Sequence, residues 1–165
     1  SDVVFIAVGT PSAANGEADL SVVFEVAGKV GKHLSGYTVV ITKSTVPVGT
    51  NMKVKEIVSK VKSASAKFDV ASVPEFLREG QAISDTLKPD RIVIGTESDR
   101  AKKILIDLHT PLITKDEYSK RLVLCNIATA EMIKYASNAF LATKISFANS
   151  IADLAERTGA DGFKV

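Results

Sequence analysis

Residues 3–8 read Val-Val-Phe-Ile-Ala-Val without a polar interruption and stop at Gly9-Thr10-Pro11. A strand wetted on one side alternates polar and apolar residues. A short unbroken apolar run closed by a turn is the pattern of a strand covered on both faces, as in a parallel sheet. Similar runs recur at Tyr37–Thr42, at Phe68–Val73 closed by Pro74, and at Arg91–Gly95. Segments of helical period lie between them. One covers residues 20–33, with Val22, Val23, Val26 and Val30 on a common face and Asp19 and Ser21 available as N-caps. Another covers 51–62, with Met52, Val54, Ile57, Val58 and Val61, and a third covers 98–108. Residues 111–114 and 121–125 read as short extended pieces. Strand and helix alternating at this spacing predict βαβ units. From spacing alone the chain is therefore part of a doubly wound α/β domain. Right-handed crossovers bring the C-terminal ends of its strands to one edge, where such sheets place their functional atoms. The loops 9–12, 43–50 and 74–80 are where chemistry is expected.

From Ile127 to Thr158 the helical pattern does not break. Ala130, Ile133, Ala136, Phe140, Ile145, Ala148, Ile151 and Leu154 keep an apolar face until Gly159 stops it. A helix of this length is expected to join two domains or to pack on a partner subunit.

The formal charge is +2 with acids and bases interspersed, and no basic stripe carries aromatics. That argues against a nucleic-acid partner. Lys53, Lys55, Lys60 and Lys62 read as a solvated helix face. No apolar run approaches the length of a membrane span. A single cysteine, Cys125, excludes an internal disulfide and suits a reducing cytosol; its apolar run predicts a buried structural thiol. The N-terminus lacks the basic segment of a signal peptide. Because it begins directly in a buried-strand pattern, the chain is expected to be an internal piece of a longer protein.

Several residues could carry chemistry, and each also has a plain structural reading. Gly9-Thr10-Pro11 ends a strand at the functional edge, or is an ordinary turn. Thr45 sits where backbone N–H groups converge before a helix and can donate and accept, or is a cap. Glu75 and Glu79 are four apart. On a helix they would share a face and shift each other's pKa values, with Arg78 between them to neutralise the pair; otherwise they are a solvated turn. Lys134 and Asn138 are also four apart; a lysine and an amide can stabilise a developing oxyanion, and an asparagine inside a helix needs a reason. His33 and His109 lie near helix ends and read as caps. No His, Cys, Asp and Glu cluster has metal-ligand spacing, so no metal is expected.

Four stretches, taken together, resemble the UDP-glucose/GDP-mannose dehydrogenase family: Phe5–Ser12, Lys43–Thr50, Pro74–Gly80 with Pro89-Asp90-Arg91, and Ala130–Phe140. They stand in family order and cover nearly the whole chain. The resemblance implies a Rossmann-like doubly wound parallel sheet over residues 1–125, the remainder of an NAD-binding domain. A long connecting α-helix over 126–165 would then open a central, dimerising domain. It implies NAD as cofactor, approached by Val8, Gly9, Thr10, Pro11, Ser44, Thr45, Val46 and Glu79. It implies a nucleotide sugar held by Glu75, Phe76, Leu77, Arg78, Lys134 and Asn138, with Thr45, Glu79, Lys134 and Asn138 at the catalytic centre. The implied reaction is oxidation of the C6 alcohol of UDP-glucose to a carboxylate through a cysteine thioester. GDP-mannose is the alternative substrate, and a non-catalytic assembly module is the alternative of another class. The implied partner is a second copy joined through helix 127–158, in the cytoplasm. The glycine-rich fingerprint is expected upstream of Ser1, and the nucleophilic cysteine and UDP-binding domain beyond Val165, so this piece alone is expected to be inactive. Val73 departs from the family's asparagine, Val22 from its tyrosine and Ser150 from its glutamate.

Overall fold

Thr38 to Thr42 are buried at every position, as a strand flanked by strands and covered by helices must be. In the computed structural model, which describes residues 1–113 and 115–165, this strand is β2 (Tyr37–Thr42) of a five-stranded sheet. The others are β1 (Val3–Ile6), β3 (Lys67–Ser72), β4 (Ile92–Gly95) and β5 (Leu122–Cys125), in the spatial order β1-β2-β3-β4-β5. The first three are parallel, and Ile6, Thr42 and Ser72 stand side by side in register. The loops that follow therefore leave the sheet at one edge and at one level.

Alternation along β2 sorts the core into two layers. Val40 faces α1 (Ser21–His33) and α2 (Thr50–Val61), packing with Ile6, Val23, Ala27, Val54, Val58 and Val70. Val39 and Ile41 face the opposite side and pack with Ala71, Ile94, Ala101 and Leu105, the last two on α4 (Asp99–His109). Each buried Val, Ile or Leu among them contributes about 1.5–3 kcal/mol. Helices thus cover both faces. α1 and α2 approach closely at Gly31, where a Cβ would lie 2.5 Å from Val61 Cγ2 and 3.1 Å from Val58 Cα.

Several expectations need correction. The sheet is not wholly parallel: β3 and β4 meet antiparallel through one pair, Ser72 and Gly95, and β5 runs parallel to β4. A parallel return needs a crossover packed on the sheet. The only helix between β3 and β4 is α3 (Ala82–Leu87), which buries none of its residues and cannot serve as one. β1 is shorter than residues 3–8 and lies at the sheet edge, with Phe5 43% exposed rather than covered on both faces. The piece at 111–114 is not a strand: Thr110–Leu112 form a 3₁₀ turn and only Ile113 is extended, while Thr114 lies outside the described residues. Cys125 is half-buried on β5, with Sγ 3.9 Å from the Ile94 carbonyl; burial, with Glu97 adding to it, pushes its thiol pKa up. Asp19 does cap the entry to α1, accepting from the Ser21 N–H at 2.9 Å, although Leu20 occupies the N-cap itself.

The chain divides into two units, Ser1–Lys134 and Tyr135–Val165. After α5 (Tyr118–Arg121) and β5, α6 (Ile127–Thr158) begins in the first unit and supplies most of the second. Gly159, at φ 73°, ends it as expected, and the Ala160 N–H donates to the Ala155 carbonyl at 3.0 Å. Phe140, Leu141, Ile145, Phe147 and Leu154 are each more than half exposed. At 100° per residue they spread over roughly half the circumference, a broader surface than a single stripe. Among the described residues no helix is long and apolar enough to cross a membrane.

Candidate active site

Because β1, β2 and β3 end level, the residues just past them become neighbours. Ser44 Oγ accepts the Val8 N–H at 2.9 Å and donates to the Val8 carbonyl at 2.6 Å. Thr10 Oγ1 donates to the Thr45 carbonyl at 2.9 Å. Thr45 Oγ1 donates to Glu75 Oε1 at 3.3 Å, and Lys134 Nζ to Glu75 Oε2 at 3.0 Å. One carboxylate, from the loop after β3, thus receives the threonine of the loop after β2 and the lysine of α6. The Leu77 N–H also reaches Glu75 Oε2, at 3.2 Å. One residue from each of four separate stretches, Thr10, Thr45, Glu75 and Lys134, takes part in these contacts.

Lys134 is not a surface lysine. It is 6% exposed, on the buried stripe formed by Ile127, Ala130, Glu131 and Lys134. The Phe76 ring lies against it, with its centroid 5.3 Å from Lys134 Nζ and 5.0 Å from Arg91 Cζ, within cation–π range. An ammonium has three N–H donors. With one engaged by Glu75, two are left for an incoming oxygen.

Other assignments come out differently. Residues 73–78 are not helical, so Glu75 and Glu79 do not share a helix face; Glu79 lies exposed in the turn at 79–80. The reason is local. Val73 stays buried and its N–H donates to the Thr42 carbonyl at 3.1 Å, which keeps the chain extended into Pro74. Arg78 does not neutralise the glutamates. Its guanidinium holds Asp85 at 2.6 Å, and its own N–H donates to the same carboxylate at 2.8 Å. That partner holds the Asp85 carboxyl below the usual carboxylate range. Asn138 belongs to the second unit and is exposed. Val46 is buried in the core, so its contribution at the edge is confined to its backbone. Gly9 and Pro11 are exposed, and a Cβ built on Gly9 would meet no atom within 4 Å. The histidines are helix-end residues as read: His33 Nδ1 lies 2.8 Å from the Lys29 carbonyl and His109 Nδ1 2.7 Å from the Leu105 carbonyl. Lys53, Lys55 and Lys60 are exposed, whereas Lys62 folds back onto the Ala66 carbonyl at 2.7 Å.

Two residues escaped the sequence reading. Lys43, next to Ser44, is half-buried beside a cavity of about 440 Å³ that Glu75, Phe76, Arg78, Arg91 and His109 also line. Burial pushes its ammonium pKa down, against the attraction of Glu75. The second is Glu131. Backbone N–H groups do converge at the N-terminus of α2, but they are not open to a ligand. Instead Glu131 takes them: Oε2 accepts the Gly49 N–H at 2.7 Å, and Oε1 accepts the Asn51 N–H at 2.9 Å and Asn51 Nδ2 at 2.8 Å. A carboxylate at a helix N-terminus is where the helix dipole favours one. Its sequence signal was a charge at a buried-stripe position, four residues after Ile127.

Comparison with known proteins agrees with this geometry. Residues 1–113 match the pattern of the UDP-glucose/GDP-mannose dehydrogenase family, NAD binding domain, and residues 128–165 that of the same family's central domain. The chain is 52% identical over 165 residues to the UDP-glucose 6-dehydrogenase TuaD of Bacillus subtilis, covering all of this chain and 34% of that protein. It is 51% identical over 164 residues to the UDP-glucose 6-dehydrogenase of Rhizobium meliloti, covering 98% and 37%. Among solved structures, a UDP-glucose dehydrogenase from the archaeon Pyrobaculum islandicum superposes with a TM-score of 0.92 at 44% identity, over 99% of this chain and 37% of that one. A GDP-mannose dehydrogenase from Pseudomonas aeruginosa gives 0.87 at 35%, over 99% and 38%. The chain thus spans about a third of the length of the curated relatives it matches. A family pattern over residues 1–113, on a sheet whose loops converge as described, places this chain in the UDP-glucose/GDP-mannose dehydrogenase family.

Proposed function

We propose that the protein to which this chain belongs oxidises the C6 alcohol of UDP-glucose to a carboxylate, passing two hydrides in succession to two molecules of NAD. The observation that carries this reading is the sharing of Glu75 between Thr45 and Lys134 at the level edge of the sheet. The open space over Gly9 supports a cofactor there: without a Cβ, the backbone of Val8 to Pro11 can be approached closely, with the Ser44–Val46 loop alongside. NAD, when bound, supplies the hydride acceptor. Thr45 holds its hydroxyl at that place. The free N–H donors of Lys134 stabilise charge developing on the sugar oxygen, and Asn138 adds an amide from the next turn of α6. Glu79 activates water in the hydrolytic half. Glu75, Phe76, Leu77 and Arg78 form the sugar-facing loop.

Residues 1–125 serve in this reading as part of the cofactor domain and 126–165 as the opening of the central domain. The exposed apolar residues of α6 are proposed to pack on a second copy, and the enzyme to act in the cytoplasm, supplying an acidic sugar for polysaccharide synthesis. Identity to the UDP-glucose enzymes at 52% and 44%, against 35% to the GDP-mannose enzyme, favours UDP-glucose. The test is NADH formation by the complete protein with each nucleotide sugar. Two NADH per UDP-glucose consumed is the expected result; turnover of GDP-mannose alone would replace the substrate, and turnover of neither would end the reading.

A further inference from the structure

Glu131 is 2% exposed and cannot touch a substrate, yet it accepts three hydrogen bonds from residues about eighty positions away. Two of its donors, the Gly49 and Asn51 N–H groups, flank Thr50, the first residue of α2, directly after the loop that carries Thr45. Gly49 presents its N–H from a left-handed conformation, φ 95°, that favours glycine. The loop between is itself braced, Thr50 Oγ1 donating to the Pro47 carbonyl at 2.7 Å. Three residues further along α6, and on the same buried stripe, stands Lys134.

These contacts close a ring. Thr45 meets Glu75, Glu75 meets Lys134, one turn of α6 leads to Glu131, Glu131 holds Gly49, and the loop residues Val48, Pro47 and Val46 return to Thr45. We infer that Glu131 is a positioning residue for the dehydrogenase site: by clamping α6 to the loop after β2 it fixes where Lys134 stands relative to Thr45. The catalytic part of this inference rests on the function proposed above; the clamp itself does not. A buried carboxylate with its donors satisfied is a stiff link, because any displacement exposes a charge to a site that offers no water in exchange. The remainder of the ring has a single polar contact at each joint, so with Glu131 removed the 3.3 Å and 3.0 Å contacts to Glu75 are the hydrogen bonds left between the two side chains, beside the apolar packing of Val46 and Ile127 in one core layer.

Two measurements test it. In the present chain, NMR of the lysine ammonium groups should show Lys134 protected from exchange by its pairing with Glu75. Glu131→Gln, which keeps the shape but sets an amide N–H against backbone donors, should abolish that protection and shift the Thr45 amide. Glu131→Asp keeps the charge and is one methylene too short for both sets of donors; it should do the same, and it serves if the glutamine variant does not fold. Unchanged Lys134 and Thr45 signals in a folded variant overturn the clamp. In the complete enzyme, the same variants should lower kcat about tenfold or more, since misplacement by about 1 Å can cost up to ~100-fold. KM for the nucleotide sugar should stay within about twofold, because the groups contacting substrate remain. In a double-mutant cycle, Glu131→Gln with Lys134→Ala should be no slower than Lys134→Ala alone; additive losses contradict the inference. If the wild-type enzyme turns over no nucleotide sugar, the functional reading fails while the NMR result still decides the clamp.

Discussion

Lys134 Nζ lies 3.0 Å from Glu75 Oε2 across 59 positions of sequence, with the lysine side chain 8% and the glutamate 27% exposed. An ion pair so sheltered differs from the surface pairs of this chain, such as Lys29 with Glu25, both more than half exposed and screened by solvent. Removing one member of a buried pair strands the other and typically costs ~3–5 kcal/mol. Glu75 is partly wetted, so Glu75→Gln should destabilise the chain by about 2–3 kcal/mol, below that range. Lys134→Met, which removes the more deeply buried charge and keeps the stem, should cost less. Urea denaturation of both variants checks the order; a milder glutamine variant would mean that the pair is not sheltered.

Gly95 is where β4 touches the start of α6. A Cβ there would collide with Ala130 Cβ and lie 2.8 Å from the Asn126 carbonyl oxygen and 3.2 Å from Ile127 Cα. Backbone atoms cannot swing aside as a flexible side chain does. Gly95→Ala should therefore cost about 1–3 kcal/mol, the usual penalty for overpacking, and displace the first turn of α6. Thermal unfolding measures the first effect and the Lys134 ammonium signal the second. A variant as stable as the parent with that signal unmoved would show that α6 is held elsewhere.

Burial and a hydrogen bond to Asp69 at 2.7 Å push the Tyr37 hydroxyl up to about 12. A folded-state pKa above the ordinary 10.0 means that the folded chain keeps its proton longer than the unfolded one. The associated stability is fully present below pH ~10 and is lost as the pH rises from there towards ~12. Tyrosinate absorbance should show a late-titrating component that is absent in Tyr37→Phe. If that substitution leaves the titration above pH ~10 unchanged, the assignment of Asp69 as partner is wrong.

Phe147 is 67% exposed on the outer part of α6, and Ile151 is half-buried one turn on. A patch of large exposed apolar side chains on a helix is a contact surface or an aggregation hazard. A two-fold partner would use the same patch on both copies. Phe147→Asp with Ile151→Asp should convert a dimer of the complete protein to monomers, read as mass by light scattering. A wild type already monomeric at micromolar concentration ends the proposal, as does a double variant that stays a tight dimer.

Periodicity alone carried the helices read at 20–33 and 51–62 and the strands at 37–42 and 68–73, because each buries a continuous face; the helix over 127–158 was legible too, although its burial is concentrated in its first turns and large apolar residues beyond them are exposed. It could not show that β4 turns back, since that depends on α3 finding nothing to pack against, a tertiary fact. The meeting of the loops after β1 and β2 was legible in outline from the parallel order of the strands. The partners within the site were not. Arg78 pairs with Asp85, seven residues on, rather than with the glutamates beside it, because the turn closed by the Gln81 N–H on the Arg78 carbonyl leads into α3, which carries Asp85 back onto Arg78. Glu131 was invisible to a search for exposed chemistry; only its place on the buried stripe Ile127, Ala130, Glu131, Lys134 marks it.

The central claim is that Lys134 acts on the reacting sugar oxygen and is not merely half of a structural pair. In the complete enzyme, kcat of Lys134→Ala with UDP-glucose and NAD should fall about a hundred- to a thousand-fold, the loss of one oxyanion donor at roughly 2.7–4 kcal/mol. KM for the nucleotide sugar should change little, since the interaction strengthens as charge develops. A folded Lys134→Ala enzyme with unchanged kcat would contradict the claim and leave Lys134 a structural partner of Glu75.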